Sequence, residues 1–505
     1  MSERIPLTSF PLVPRLRLPY LGAGRQYDSI RSELLSIAMQ EVESGLILAS
    51  VGRRHERNRK MTLELKSLDS LRGVLHVLES GFADLPEFTP EIDVDRLQKV
   101  LCEVAEKMTD NYPYPHPFYL GQMLKPPHPV ARLAYMLSLW INPNNHALDG
   151  GRCSSAMEKE AVAQIAGMFG WKTHLGHLCA GGTMANLEAL WASRVLNPGK
   201  QVVASEQAHY THERICGVLC IPFEAVPCDN RGRMDVAALE SIINERDVGT
   251  VVATIGTTAT GSVDPLPEIL ELQKRYGFRI HADAAYGGYF TLVDNLDPET
   301  SAVYDRLGEV DSIVIDPHKH GLQPYGCGCV LFKDPTIGRL YKHDSPYTYF
   351  TSSELHLGEI SLECSRPGSS AVALWATQRL FPPVRGGEFA KDLTKCRTAA
   401  LKLFQMIEND SGFLSVMAPE LDIVVWAPKA STAGKISKLT EQVFNAAAEK
   451  GLHLAMAKFP RALLESRWEE VHWDQDHVTC LRSCLMKPEH LEWIDRIWET
   501  LDSVR

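Results

Sequence analysis

Between Pro129 and Asp334 short runs of β-branched and apolar residues recur, separated by amphipathic segments, and this alternation constrains the fold more than any other feature. The runs are Gln201 to Ala204, Thr250 to Ile255, Phe278 to Ala282, Ser312 to Ile315 and Gly328 to Phe332. Between them lie helix candidates such as Asp235 to Asn244, opened by Asp235 as an N-cap, and Leu266 to Tyr276. The pattern predicts an α/β domain with a mainly parallel sheet flanked by helices. Open sheets of this kind bind ligands beyond the carboxyl ends of their strands, so the residues just after each run are the ones to inspect.

The remainder divides around this block. Residues 1–128 form an N-terminal extension, helical and irregular, with helical spacing over Gln26 to Ser44 and a proline-rich stretch from Tyr112 to Phe118. Residues 129–375 form the large domain and residues 376–505 a small α+β domain. In the last, Phe413 to Met417 and Leu421 to Ala427 are strand candidates, and Ser437 to Lys450, capped by Ser437, and His490 to Leu501 are helix candidates. Tyr341 to Leu357, rich in Ser, Thr, Tyr and His, has no clear period and suits a lid.

Composition narrows the function. The 505 residues carry 52 Lys and Arg against 63 Asp and Glu, a net charge of −11, which argues against nucleic acid and against a polybasic membrane anchor. No secretory leader is visible at the start and no run of about 18 apolar residues occurs, so a soluble, cytoplasmic protein is expected. The 12 cysteines are scattered, with Cys216/Cys220 and Cys327/Cys329 the close pairs, and neither has metal-ligand spacing. No metal is expected.

Four strand ends carry unusual chemistry. Ala180-Gly-Gly-Thr183 precedes a helical run, and Ser205-Glu-Gln-Ala-His209 follows the first strand. His281-Ala-Asp283-Ala-Ala285 follows the third strand and Asp316-Pro-His318-Lys319-His320 the fourth. Free backbone N–H groups at a helix start, approached closely through Gly181 and Gly182 with the Thr183 hydroxyl, suit a phosphate. Neither the Gly-x-x-x-x-Gly-Lys-Ser/Thr loop nor a Gly-x-Gly-x-x-Gly turn is present, so the phosphorylated ligand is not expected to be a nucleotide. A lysine beside a carboxylate and a stacking histidine suggests a Schiff base to a pyridoxal ring whose nitrogen the carboxylate keeps protonated.

On these residues the chain resembles the group II amino-acid decarboxylases that use pyridoxal 5'-phosphate, the glutamate, aromatic and tyrosine decarboxylase-like enzymes of fold type I. The resemblance implies that Lys319 is the Schiff-base lysine, Asp283 the pyridinium partner, Ala285 a residue packing on the ring and His209 the stacking imidazole. It implies a phosphate cradle from Gly182, Thr183 and His318, with Gly256-Thr257-Thr258 and Asp264 near the ring hydroxyl. Arg366 in Ser365-Arg-Pro-Gly368 resembles the arginine that meets the substrate α-carboxylate. The family also implies a homodimer with shared active sites and a lid whose Tyr347 or Tyr349, or else His209, returns the proton. Asp316 stands where several relatives carry Asn, and His320 follows the lysine where relatives often carry Trp, Met or Tyr. The substrate is left open. His116, Phe118, Tyr119, Gln122, Trp140, Asn145 and His146 are pocket candidates, leaning to an aromatic L-amino acid such as tyrosine, with glutamate or aspartate next and an aldehyde-forming variant as a further alternative.

Overall fold

The computed structural model describes residue 63 and residues 65–146, 150–342 and 360–505. The Gln26 to Ser44 helix and nearly all of the Tyr341 to Leu357 segment, with Tyr347 and Tyr349, lie outside these residues.

Seven strands build the main sheet: β1 Leu175–Cys179, β2 Gln201–Ser205, β3 Phe223–Val226, β4 Val248–Thr254, β5 Arg279–Asp283, β6 Ser312–Ile315 and β7 Gly328–Phe332. Their order is β1-β7-β6-β5-β4-β2-β3. Only β7 runs against its neighbours, pairing antiparallel with both β1 and β6. Every residue of β4 is buried, because helices cover both faces, so the strand reads as a continuous apolar run and not as an alternation. Asp235 caps the helix Val236–Glu245 as expected, accepting from the backbone N–H groups of Ala237 and Ala238.

The C-terminal part builds a second, antiparallel sheet from β8 Phe413–Ser415, β9 Ile423–Pro428, β10 Ala455–Pro460 and β11 His477–Cys484, in the order β10-β11-β9-β8. The expected Ser437 cap is corrected. The helix starts a turn earlier, at Ala433, where Thr432 accepts from the Lys435 N–H, and the Ser437 hydroxyl donates back to the Ala433 carbonyl. Pro129 opens the helix Pro129–Ser138 at its first position, where its missing N–H leaves no intrahelical bond unmade. Among the described residues no helix is long and apolar enough to cross a membrane.

Candidate active site

Parallel strands deliver their following loops to one edge, and here a cavity of about 610 Å³ opens there. After β1 the chain turns through Ala180 and Gly181 into the helix Gly182–Leu196. A Cβ on Gly182 would lie 2.8 Å from Asp316 Oδ2, and one on Gly328 of β7 would lie 2.5 Å from Gly181 Cα. Both positions need glycine for this close approach, which leaves the first N–H groups of the helix facing the cavity edge.

The loop after β2 brings His209 into the lining, half-buried, and burial lowers its pKa. The end of β5 supplies Asp283, 5% exposed, then Ala285 and Tyr286. Burial alone would raise the Asp283 pKa. The hydrogen bond and charge of His212, assisted by Lys319, outweigh it and hold the carboxyl below the ordinary carboxylate range. The loop after β6 supplies Asp316, His318 and Lys319, with Lys319 Nζ 3.1 Å from Asp316 Oδ2. His318 Nδ1 accepts from the Cys327 N–H, so its proton sits on Nε2, and burial keeps the ring's pKa lowered.

Of the expected cofactor residues, Gly181, Gly182, Thr183, His209, Asp283, Ala285, Asp316, His318 and Lys319 therefore share one cavity. Thr257 lies outside the lining. Its hydroxyl pairs with Thr260 Oγ1 at 2.7 Å, and Thr254, Gly256 and Thr258 take its place at the wall. Asp264 is a brace behind that wall, accepting from the backbone N–H groups of Thr254 and Met234.

The substrate-side expectations fare differently. Arg366 is 4% exposed and lies outside the lining, where its Nη1 donates to Glu158 Oε1 at 2.7 Å and to the Leu178 carbonyl. Glu158 engages Nη1 alone, and Nε and Nη2 have no partner among the described residues. Asn145 also turns to Glu158. His116 and Phe118 pack edge-on against Trp493, Tyr119 is buried beneath Lys487, Gln122 and Trp140 are exposed, and none of these lines the cavity.

Residues not anticipated also reach the site. Tyr210 and Tyr325 form part of its wall with Met184 and Leu187. Asn186 lines it while donating to Asp283, and Tyr286 donates to the buried Asp422 at 2.6 Å. A tyrosine beside a stacking histidine was the one legible signal, in His209-Tyr210; the others depend on long-range juxtaposition.

Two buried polar atoms of the lining, Thr254 Oγ1 and Asp316 Oδ1, have no partner among the described residues. With a helix start at one end, an amine in the middle and an ionised carboxylate at depth, the cavity fits a phosphorylated aldehyde carrying a basic ring nitrogen.

Comparison with known proteins agrees. The pyridoxal-dependent decarboxylase conserved domain matches residues 91–429. An L-tyrosine decarboxylase of Enterococcus faecium is 28% identical over 389 residues, covering 57% of this chain and 64% of that protein, less than two thirds of its length. An L-aspartate decarboxylase of Thermococcus kodakarensis is 30% identical over 331 residues, covering 65% of this chain and 83% of that protein. The fold is that of the mouse CSAD crystal structure, at TM-score 0.69 and 20% identity over 85% of this chain and 92% of that one. It is likewise that of Oryza sativa TDC with PLP and tryptamine, at TM-score 0.70 and 17% identity over 97% and 100%.

Proposed function

Because the chain belongs to the pyridoxal-dependent decarboxylase family, carboxy-lyases that work with pyridoxal 5'-phosphate, we propose that it converts an aromatic L-amino acid such as tyrosine to the amine and CO2. The reading rests on the single cavity shared by Lys319, Asp283, His209 and Ala285 with the start of the helix Gly182–Leu196. When bound, the cofactor supplies an electron sink for the pair left at Cα by departing CO2.

In this reading the chain's own residues do the rest. Lys319 supplies the amine that would hold the cofactor's aldehyde, and Asp283 the carboxylate that would keep its ring nitrogen protonated. The backbone N–H groups at Gly182 and Thr183, with the Thr183 hydroxyl and His318, hold the phosphate. His209 and Ala285 line the same cavity and would pack against the cofactor ring. His209, or Tyr347 or Tyr349 of the segment outside the described residues, returns a proton to Cα.

The aromatic preference is supported by Tyr210, Tyr325, Met184 and Leu187 at the wall, and by Lys319 being the one Lys or Arg among the described lining residues. An acidic side chain would call for a second cation. The second reading, aspartate, is favoured by the 30% identity to the Thermococcus enzyme. Incubating the holoenzyme with tyrosine, tryptophan, phenylalanine, glutamate and aspartate, and measuring CO2 and amine, tests both. CO2 from an aromatic amino acid is expected; CO2 from aspartate alone would select the second reading, and none from any of them would refute the proposal.

The amino acid enters a homodimer in this account. Along the helix Val94–Met108 no residue is buried, and Leu97, Val100, Leu101 and Val104 are about half exposed. A second copy covering this apolar stripe accounts for it. Light scattering on the purified protein should return twice the 56.3 kDa chain mass.

A further inference from the structure

A carboxylate that must stay ionised out of water needs dedicated donors, and Asp283 has three. His212 Nε2 lies 2.8 Å from its Oδ2, Asn186 Nδ2 donates to the same oxygen at 3.3 Å, and the Ala285 N–H reaches Oδ1 at 3.2 Å. Because an ionised carboxylate only accepts, His212 must carry its proton on Nε2. His212 is fully buried and its Nδ1 has no partner among the described residues. Among the described residues the His212 imidazole therefore has one hydrogen-bond partner, Asp283.

A second line of donors ends on the same carboxylate. With Nδ2 of Asn186 turned to Asp283, its Oδ1 accepts from His281 Nε2 at 2.8 Å. The His281 proton then sits on Nε2, and Nδ1 accepts from the Ser312 hydroxyl at 2.9 Å. Burial drives the His281 pKa down to about 3, so this ring stays neutral and the line from Ser312 to Asp283 is a run of dipoles pointing one way.

Resting on the function proposed above, we propose that His212 is a positioning residue which, with the Ser312–His281–Asn186 line, holds Asp283 oriented and ionised against the cofactor ring nitrogen. The loop that presents His209 to the cavity continues into the helix Thr211–Leu219, whose second residue is His212, so one short segment serves both the ring face and the ring nitrogen. The titratable and charged groups around the pair are His281, with its ring centroid 6.5 Å from that of His212, and His209, Lys319 and Asp316 across the cavity.

The test compares the unaltered holoenzyme with His212→Leu, which cannot donate, and His212→Gln, which can. Each is reconstituted with pyridoxal phosphate carrying 15N at the ring nitrogen, whose chemical shift reports its protonation directly. A hydrogen bond to a charged group is worth about 1.5–3 kcal/mol, so in His212→Leu the nitrogen should lose its proton about one to two pH units lower and kcat should fall about tenfold to a hundredfold. KM should stay within about twofold, since the substrate does not touch His212. His212→Gln should recover most of both changes. If the Leu variant does not fold, His212→Met serves as the variant without a donor under the same readings. A nitrogen titration and kcat unchanged in the variant without a donor would overturn the role of His212 while leaving the decarboxylase reading intact. Failure of the unaltered protein to take up the cofactor would overturn both.

Discussion

Replacing Arg366 by alanine separates a structural role from a substrate-binding one. Arg366 and Glu158 are 4% and 1% exposed, so solvent screens the pair little. Glu158 Oε1 takes Arg366 Nη1 at 2.7 Å and the Leu178 N–H at 2.9 Å, and Oε2 takes the Asn145 amide. In Arg366→Ala the carboxylate keeps two neutral donors and loses its countercharge. Breaking a buried pair from one side costs about 3–5 kcal/mol, because the remaining charge is uncompensated. With an m value of at least ~3 kcal/mol/M for a chain of this size, that loss lowers the urea midpoint by up to roughly 1–1.7 M. The double variant Arg366→Met with Glu158→Gln removes the stranded charge and should recover at least half of the loss, as double replacement of buried pairs often does. Tryptophan fluorescence during urea unfolding measures all three proteins, and the midpoint is the quantity to compare, since a chain this long need not unfold in two states. A midpoint that stays in place in Arg366→Ala while KM for the amino acid rises many-fold would refute the reasoning and return Arg366 to the substrate.

Further perturbations probe the cradle, the core and the protonation balance. Gly182→Ala puts a methyl 2.8 Å from Asp316 Oδ2, and overpacking of about 1–3 kcal/mol should weaken cofactor binding roughly fivefold to a hundredfold in a fluorescence titration. Tyr286→Phe removes the 2.6 Å donor to buried Asp422, and leaving that acceptor unmet should cost about 1–3 kcal/mol of stability by urea titration. Burial pushes the pKa of His281 and of His490 down to about 3, whereas the unfolded chain protonates histidine near 6.5. The unfolded state therefore binds the extra protons between these values. Each such histidine should remove up to ~1.4 kcal/mol of stability per pH unit as pH falls from about 6.5 toward 3, and His490→Gln should flatten the dependence of the urea midpoint on pH.

The large domain was legible because β4, β6 and β7 are buried along their whole length and read as short runs of apolar and β-branched residues. Two strands of the same sheet were not. In β1 Gly176 and His177 interrupt the apolar run, and edge strand β3 is four residues long with one residue buried. The residues that line the cavity were legible because they stand at strand ends beside distinctive neighbours, as Asp283 and Lys319 do. Their supports were hidden. His212 in Thr211-His-Glu-Arg reads as an ordinary helical residue, and only the packing of the helix Thr211–Leu219 brings it to Asp283, 71 positions on. The partner of Arg366 was hidden for the same reason, since Glu158 lies 208 positions upstream. Thr257 lost its expected place by one residue of turn geometry, with its hydroxyl drawn to Thr260.

The whole account turns on where the cofactor attaches, and chemical trapping answers that directly. The protein is incubated with pyridoxal 5'-phosphate, reduced with borohydride, digested and mapped by mass spectrometry. A reduced phosphopyridoxyl group on the peptide containing Lys319, absent in Lys319→Ala, is the predicted result. Modification at another lysine, or none at all in the unaltered protein, would contradict the assignment of this cavity.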